Sequence, residues 1–168
     1  MRLIMLAMCL ALTACASGNR ASLEPADAAT ALITGGKLQM AVSSSGGGDD
    51  PVNVMTLSHS DGRAMSFEEA NHAPNDVLTQ TPGGPLAQVM GLFGQEQPVL
   101  YHARGGGAAF FCLPDGPAGI GVYTAANGQV SIVGLKSGFE VETRPDGGSE
   151  VLPFSPDHVC ARMHFTKH

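Results

Sequence analysis

The chain has 168 residues and a formal net charge of -6, and only 14% of its residues are charged. This length supports one domain with a hydrophobic core rather than two. The acidic balance and the lack of Lys/Arg clusters argue against nucleic acid as a partner, because little is present to neutralise phosphates. The 22 glycines, 11 prolines and 5% aromatic residues are typical of short strands joined by many turns, not of helical bundles.

The first fifteen residues are the most specific signal in the sequence. Arg2 supplies a positive start, residues 3–12 form an apolar run, and Leu12-Thr13-Ala14-Cys15 ends it with small residues before a cysteine. The run has about ten residues, whereas a helix needs about 20 to span a hydrocarbon core. A retained transmembrane helix is therefore not expected here.

This arrangement resembles the signal peptide and lipobox of bacterial lipoproteins. The resemblance implies cleavage between Ala14 and Cys15, a diacylglycerol thioether on Cys15, and acylation of its new amino group. Each buried CH₂ of such chains contributes about 0.8 kcal/mol, so two or more chains hold a protein stably at a membrane. The expected location is the cell envelope. Ala16 follows the cysteine where Asp would favour retention, so the resemblance favours the outer membrane, facing the periplasm.

Residues 16–29 are small and polar, contain Pro25 and show no apolar periodicity, which predicts a short tether. The expected organisation is a signal peptide over 1–14, a lipidated N-terminus and tether over 15–29, and one β-rich domain over 30–168.

Two short helices are predicted in the first half of the domain. Residues 66–69, with the sequence SFEE, have the spacing of a capping box and predict a helix start. A second helix is predicted further on, where an apolar stripe with helical spacing is formed by Leu86, Val89, Met90 and Phe93. We expect this stripe to pack on the core.

From residue 98 onward the sequence predicts strand after strand, each short and bounded by turn residues. The predicted strands are 99–104, 108–113, 119–125, 129–135, 139–144, 151–154 and 159–166. Asn127-Gly128 is a strong hairpin signal because both residues tolerate positive φ. The predicted fold is mainly β: a small antiparallel barrel or sandwich, with a meander in the C-terminal two thirds and one or two short helices.

Two of the four cysteines remain for the exported domain. Cys9 leaves with the signal and Cys15 carries lipid, so Cys112 and Cys160 are expected to form a disulfide in an oxidising envelope. Strand alternation places Cys160 on the other face from the apolar side chains of the last strand, so the bridge is expected at or near the face away from the core.

The rival interpretation of the same region is a soft-metal site. Its candidate ligands are His158, Cys160, Met163 and His164, with His102 or Cys112. His158, Cys160 and His164 share one strand face but spread over about 20 Å at roughly 3.4 Å per residue, too far to reach one ion. Their spacing matches no closed Cys/His pattern, so neither a metal nor another cofactor is expected.

No linear catalytic motif is present, and the chain has no Gly-x-Ser-x-Gly elbow. We therefore expect a non-catalytic binding or accessory module, held at a membrane by its lipid, whose partner is an envelope protein or a small ligand. Inhibitor-like roles and membership of an envelope complex belong to this class. The alternative is a periplasmic metal- or redox-handling protein that uses Cys112, Cys160 and nearby histidines.

Replacing the proposed lipid acceptor tests the anchor directly. Cys15→Ser should abolish incorporation of labelled fatty acid and move the protein to the soluble fraction, because the acyl chains supply the membrane affinity. A variant that stays membrane-bound to the same extent as the parent would contradict the lipobox interpretation.

Overall fold

The computed structural model describes residues 19–45, 51–70, 80–136, 141–143, 149–151 and 156–168. The regular elements in chain order are β1 Asn19–Pro25, α1 Ala28–Thr34, β2 Leu38–Ser45, β3 Val52–His59, β4 Ala64–Glu69, α2 Pro85–Met90, β5 Val99–Arg104, β6 Gly119–Thr124, β7 Gln129–Leu135, β8 Val141–Thr143, β9 Ser149–Val151, a 3₁₀ turn Pro156–His158, and β10 Val159–Lys167.

Eight of these strands close into one antiparallel barrel in the order β1-β10-β7-β6-β5-β4-β3-β2. Strands β1 to β6 each pair with the next strand along the chain, and β7 pairs with β10. Strands β8 and β9 form a separate two-stranded hairpin before β10. The barrel closes where β1 pairs with β10. The mainly β prediction is confirmed, and of its two alternatives the molecule adopts the barrel.

Alternating apolar residues explain why these segments form a barrel. A strand sends successive side chains to opposite faces, so every second residue fills the interior. In β3, Met55 and Leu57 are buried in the central cluster, and in β6 Ile120 and Val122 join them. An eight-stranded barrel is just wide enough to be filled by side chains or to hold one small ligand.

The helix predicted from residue 66 is wrong, because this segment is β4. Met65 and Phe67 are buried in the barrel while Ser66 and Glu68 are not, which is a period of two. Five paired residues join β4 to β3, so ladder hydrogen bonds and burial prevail over the local capping signal.

The tether predicted over residues 15–29 does not extend to residue 29, because Asn19–Pro25 forms a barrel strand. Ala21 and Leu23 of β1 are buried in the core. Asp27 then caps α1, accepting a hydrogen bond from the backbone N–H of Thr30 at 2.7 Å, and this hydrogen bond lowers the pKa of the Asp27 carboxyl. The domain boundary expected at residue 30 therefore falls inside the folded unit.

The strand predicted over residues 108–113 is also wrong. Phe110 and Phe111 are consecutive, yet both are buried in the barrel cluster, which an alternating strand does not allow. Their rings meet edge to face with centroids 5.4 Å apart. This loop between β5 and β6 closes one end of the barrel, which we call the closed end.

The turn between β3 and β4 supports the closed end from outside. The guanidinium of Arg63 lies 5.8 Å from the ring centroid of Phe110, and the ring of His59 lies 6.2 Å from it. Asp61 accepts hydrogen bonds from the backbone N–H and Nε of Arg63 at 3.0 and 2.7 Å. The backbone hydrogen bond is the main reason why the pKa of the Asp61 carboxyl falls to about 2.

A disulfide joins Cys112 to Cys160, as predicted, with Cα atoms 5.2 Å apart. Its expected position is wrong. The β10–β7 register shifts between Val159 and Ala161, so Cys160 leaves the regular alternation. A Cβ on the opposing Gly134 would lie 2.6 Å from the Cys112 sulfur and 3.2 Å from the Cys160 sulfur. The bridge therefore lies against the inner side of β7, where only glycine leaves room.

Helix α2 packs on the outside of the barrel. Leu86 and Val89 form a second buried cluster with Leu100, Val133 and Leu135, residues that point outward from β5 and β7. A Cβ on Gly121 of β6 would lie 2.6 Å from the Leu86 side chain, so this glycine permits the close approach.

The helical stripe was predicted one turn too long. Gly91 has φ 72° and ends α2, which leaves Phe93 82% exposed instead of packed on the core. Among the described residues, neither helix has the length and apolar character needed to cross a bilayer.

Removing the disulfide should loosen the closed end. Cys112→Ala and Cys160→Ala should each lower the free energy of unfolding by on the order of 4 kcal/mol, because the bridge closes a loop between residues 48 apart. The double variant should lose no more than either single variant, since each already breaks the bond. Denaturant unfolding measures all three, and the reduced parent protein is the control. Additive losses would mean that the two sulfurs contribute separately.

Candidate functional site

A cavity opens at the end of the barrel opposite the disulfide, where β1 begins and β10 ends; we call this end the mouth. The volume of the cavity is about 350 Å³. Small-molecule sites are usually concave, mostly apolar and about 300–1,000 Å³ in size. The mouth is therefore large enough to hold a small ligand.

The floor of the cavity is apolar, and four strands contribute to it. Its residues are Met40 and Val42 of β2, Met55 of β3, Val99 and Tyr101 of β5, and Val122 of β6. Bulky phenylalanines fill the closed end, whereas valine and methionine line this one. Methionine side chains are flexible and polarisable, so this floor can adapt to ligands of different shape.

The rim of the cavity is polar and exposed. It carries Asn19, Gln97, Thr124 and Lys167, of which Lys167 alone is charged. An amphiphile would thus find apolar contacts below and hydrogen-bonding groups above. The polar groups lie where water already reaches them, so filling the floor does not bury them.

A chain of hydrogen bonds runs along the barrel wall opposite Lys167. The Ser44 hydroxyl donates a hydrogen bond to Asn53 Oδ1 at 2.5 Å, and Asn53 Nδ2 donates to Glu69 Oε2 at 2.6 Å. Glu69 is paired in register with Tyr101, so it lies on the inward side of β4. Strand β4 stands four places from β10 in the eight-stranded order. The mouth therefore has a carboxylate on one side and an ammonium on the other.

The segment between α2 and β5 forms part of the cavity wall through Gln97. Glu96 fixes this segment by accepting hydrogen bonds from the Tyr123 hydroxyl and the Phe93 backbone N–H, each at 3.0 Å. The start of β5 is fixed too: the buried Gln80 side chain donates to the Ala70 carbonyl at 2.5 Å and accepts from the Leu100 N–H at 2.8 Å.

Both tyrosines of the chain contact the cavity, and both are poor acids. Burial, with a smaller effect of the Glu69 charge, raises the pKa of Tyr101 to about 12. The hydrogen bond to Glu96 raises the pKa of Tyr123. Tyr101 is thus a neutral phenol at physiological pH, a group suited to contact and hydrogen bonding rather than to proton abstraction.

Of the residues singled out in the sequence, Cys15 and the cleavage site at Ala14 lie outside the described residues. Cys112 and Cys160 lie at the closed end, away from the cavity. A disulfide sulfur is not a thiolate ligand, so the bridge removes both cysteines from the metal alternative.

The histidines proposed as metal ligands do not lie together. The Nδ1 atom of His164 lies 3.2 Å from the Ser131 hydroxyl, on the outer face of the barrel, and His158 lies in the 3₁₀ turn. Within the part of the chain that the structure describes, no three His, Cys, Asp or Glu side chains lie close enough together to hold a metal ion.

Sequence reasoning did not find the cavity. The sequence predicts strands at the positions of β5 and β6, but a cavity depends on which inward side chains meet across the barrel. One signal was available: inward positions near the mouth carry Val42, Val99 and Val122, whereas large aromatic residues, Phe110 and Phe111, come from a loop.

Comparisons with known proteins give no assignment. No protein-family model matches the chain, and neither a curated protein nor a solved structure matches it significantly. The site is therefore interpreted from its own geometry.

The tyrosines should resist alkali. At pH 10, the ordinary tyrosine pKa, both should be less ionised than a free tyrosine, and Tyr101 should ionise only near pH 12. Because its pKa is raised on folding, Tyr101 stabilises the folded state fully below pH 10, and this contribution is lost as the pH rises through about 12. Phenolate absorbance against pH measures this, with Tyr101→Phe and Tyr123→Phe separating the two groups. Ionisation of Tyr101 near pH 10 would contradict its burial in the cavity.

Proposed function

We propose that this protein is a membrane-anchored envelope lipoprotein whose barrel binds a small apolar or amphipathic molecule at its mouth. It acts as a non-catalytic binding module. The observation that carries the proposal is the apolar cavity of about 350 Å³ beneath a polar rim.

Two further features support binding rather than chemistry. The floor presents methionine, valine and a neutral tyrosine, and none of these side chains is a general base or an activated nucleophile. The opposite end is filled by Phe110 and Phe111 and held by a disulfide, whereas the mouth opens into the cavity.

The lipobox-like segment ending at Cys15 supports the proposed location in the cell envelope. Acyl chains on that cysteine would hold the domain at a bilayer without any contribution from the fold. The residue after it, Ala16, favours the outer membrane on the periplasmic side.

Blocking the cavity tests the proposal. Val42 lines the mouth and is half-buried, so Val42→Phe should fill part of the floor. The neutral fluorophore N-phenyl-naphthylamine is the probe, because its emission rises in apolar surroundings. We expect saturable binding to the parent protein and an affinity about tenfold lower for the variant, a loss of 1.4 kcal/mol.

The matched control is Val52→Phe. Val52 lies near the same end of the barrel, but alternation from the inward-facing Met55 places it on the outer face of β3. This variant should bind the probe as the parent does. Equal affinity of the parent and Val42→Phe, or no saturable binding by the parent, would overturn the proposal.

A further inference from the structure

The described part of the chain begins at the same end of the barrel as the cavity. Asn19, the first described residue, lines the cavity, and so does Lys167, the penultimate residue of the chain. Cys15 precedes Asn19 by four residues, and a fully extended chain of that length spans at most about 14 Å. If Cys15 carries the lipid, as the proposed function holds, the mouth cannot lie far from the bilayer surface.

The chemistry of the cavity matches what a bilayer offers at that position. The six residues of the floor bear no formal charge, so an aliphatic chain can enter without desolvating an ion. The rim carries the ammonium of Lys167 as its one charged group among the residues that line the cavity. A polar end group that stays at the rim would therefore meet hydrogen-bonding side chains and one ammonium group.

The size of the cavity limits how much of a lipid can enter. A volume of about 350 Å³ lies near the lower limit of common ligand sites, about 300 Å³. Such a space suits one chain better than the two or more of an ordinary phospholipid.

We propose that the mouth faces the bilayer and takes up the acyl chain of a monoacyl lipid from it, leaving the polar end of that lipid among Asn19, Thr124 and Lys167. This inference rests on the proposed function and adds the ligand class and the direction of entry.

The orientation is tested with a tryptophan reporter, since the chain contains no tryptophan. Gln97→Trp places the reporter at the exposed rim, and Leu32→Trp places it on α1, which connects β1 to β2 at the closed end, where Leu32 is 85% exposed. The lipidated forms are reconstituted in vesicles whose phospholipids carry a nitroxide quencher. We expect strong quenching for Gln97→Trp and little for Leu32→Trp. Equal quenching, or the reverse order, would overturn the orientation; Thr124→Trp repeats the test should Gln97→Trp misfold.

The ligand is tested by displacement of N-phenyl-naphthylamine from full-length mature protein. Palmitoyl-lysophosphatidylcholine should displace the probe from the Cys15→Ser protein and from the lipidated protein alike. Dipalmitoyl-phosphatidylcholine, which has two chains, and glycerophosphocholine, which has none, should not displace it. Val42→Phe should weaken displacement and Val52→Phe should not.

The outcomes separate the two proposals. Probe binding without displacement by the monoacyl lipid would leave the binding function intact and overturn the ligand class. Binding by the Cys15→Ser protein but not by the lipidated form would mean that an acyl chain of Cys15 itself fills the cavity, which would overturn uptake from the bilayer. No binding of the probe at all would overturn the proposed function.

Discussion

The pairing of the first barrel strand with the last one is the constraint on which the rest of the molecule depends. β1 and β10 meet in an antiparallel ladder, with Leu23 opposite Lys167 and Pro25 opposite Phe165. Backbone hydrogen bonds between Ser22 and His168 extend the contact to the end of the chain. Closure leaves the barrel without a free edge and gives it an interior sealed from the sides. Whatever enters that interior has to do so through an end.

The two ends differ because different parts of the chain furnish them. At the closed end a long connection supplies Phe110 and Phe111, and the Cys112–Cys160 bridge fastens this connection to β10. At the mouth the strands themselves supply Met40, Met55 and Val122, and no phenylalanine is among the residues that line the cavity. The larger side chains of the connection fill the closed end, whereas the smaller side chains of the strands leave a cavity at the mouth.

The sequence predicted those strands whose signals are local. Residues 129–135 were predicted with the bounds that β7 has, and β5 was equally well placed, because turn residues flank an apolar run in each case. β1 was missed because its small and polar residues form a strand through pairing with β2 and with β10, and β10 lies about 140 residues later in the chain. β4 was missed because a capping-box pattern does not reveal whether a neighbouring strand offers a ladder.

The disulfide partners followed from counting the cysteines, but the bulge at Cys160 that turns the bridge inward did not. The cavity was out of reach for the same reason as β1, since it is defined by side chains that meet across the barrel.

Strand β10 follows every other barrel strand in the sequence, and this order has a consequence for how the protein is made. Polypeptides emerge amino end first, so β1 is available long before its partner exists. Until β10 has emerged, one edge of β1 is unpaired and the incomplete sheet exposes its apolar inner face. The contacts that complete the fold are also the most distant in sequence, and bringing such distant segments together makes folding slow. A nascent copy of this protein thus stays incompletely folded, with an exposed apolar face, until the nine residues of β10 have emerged.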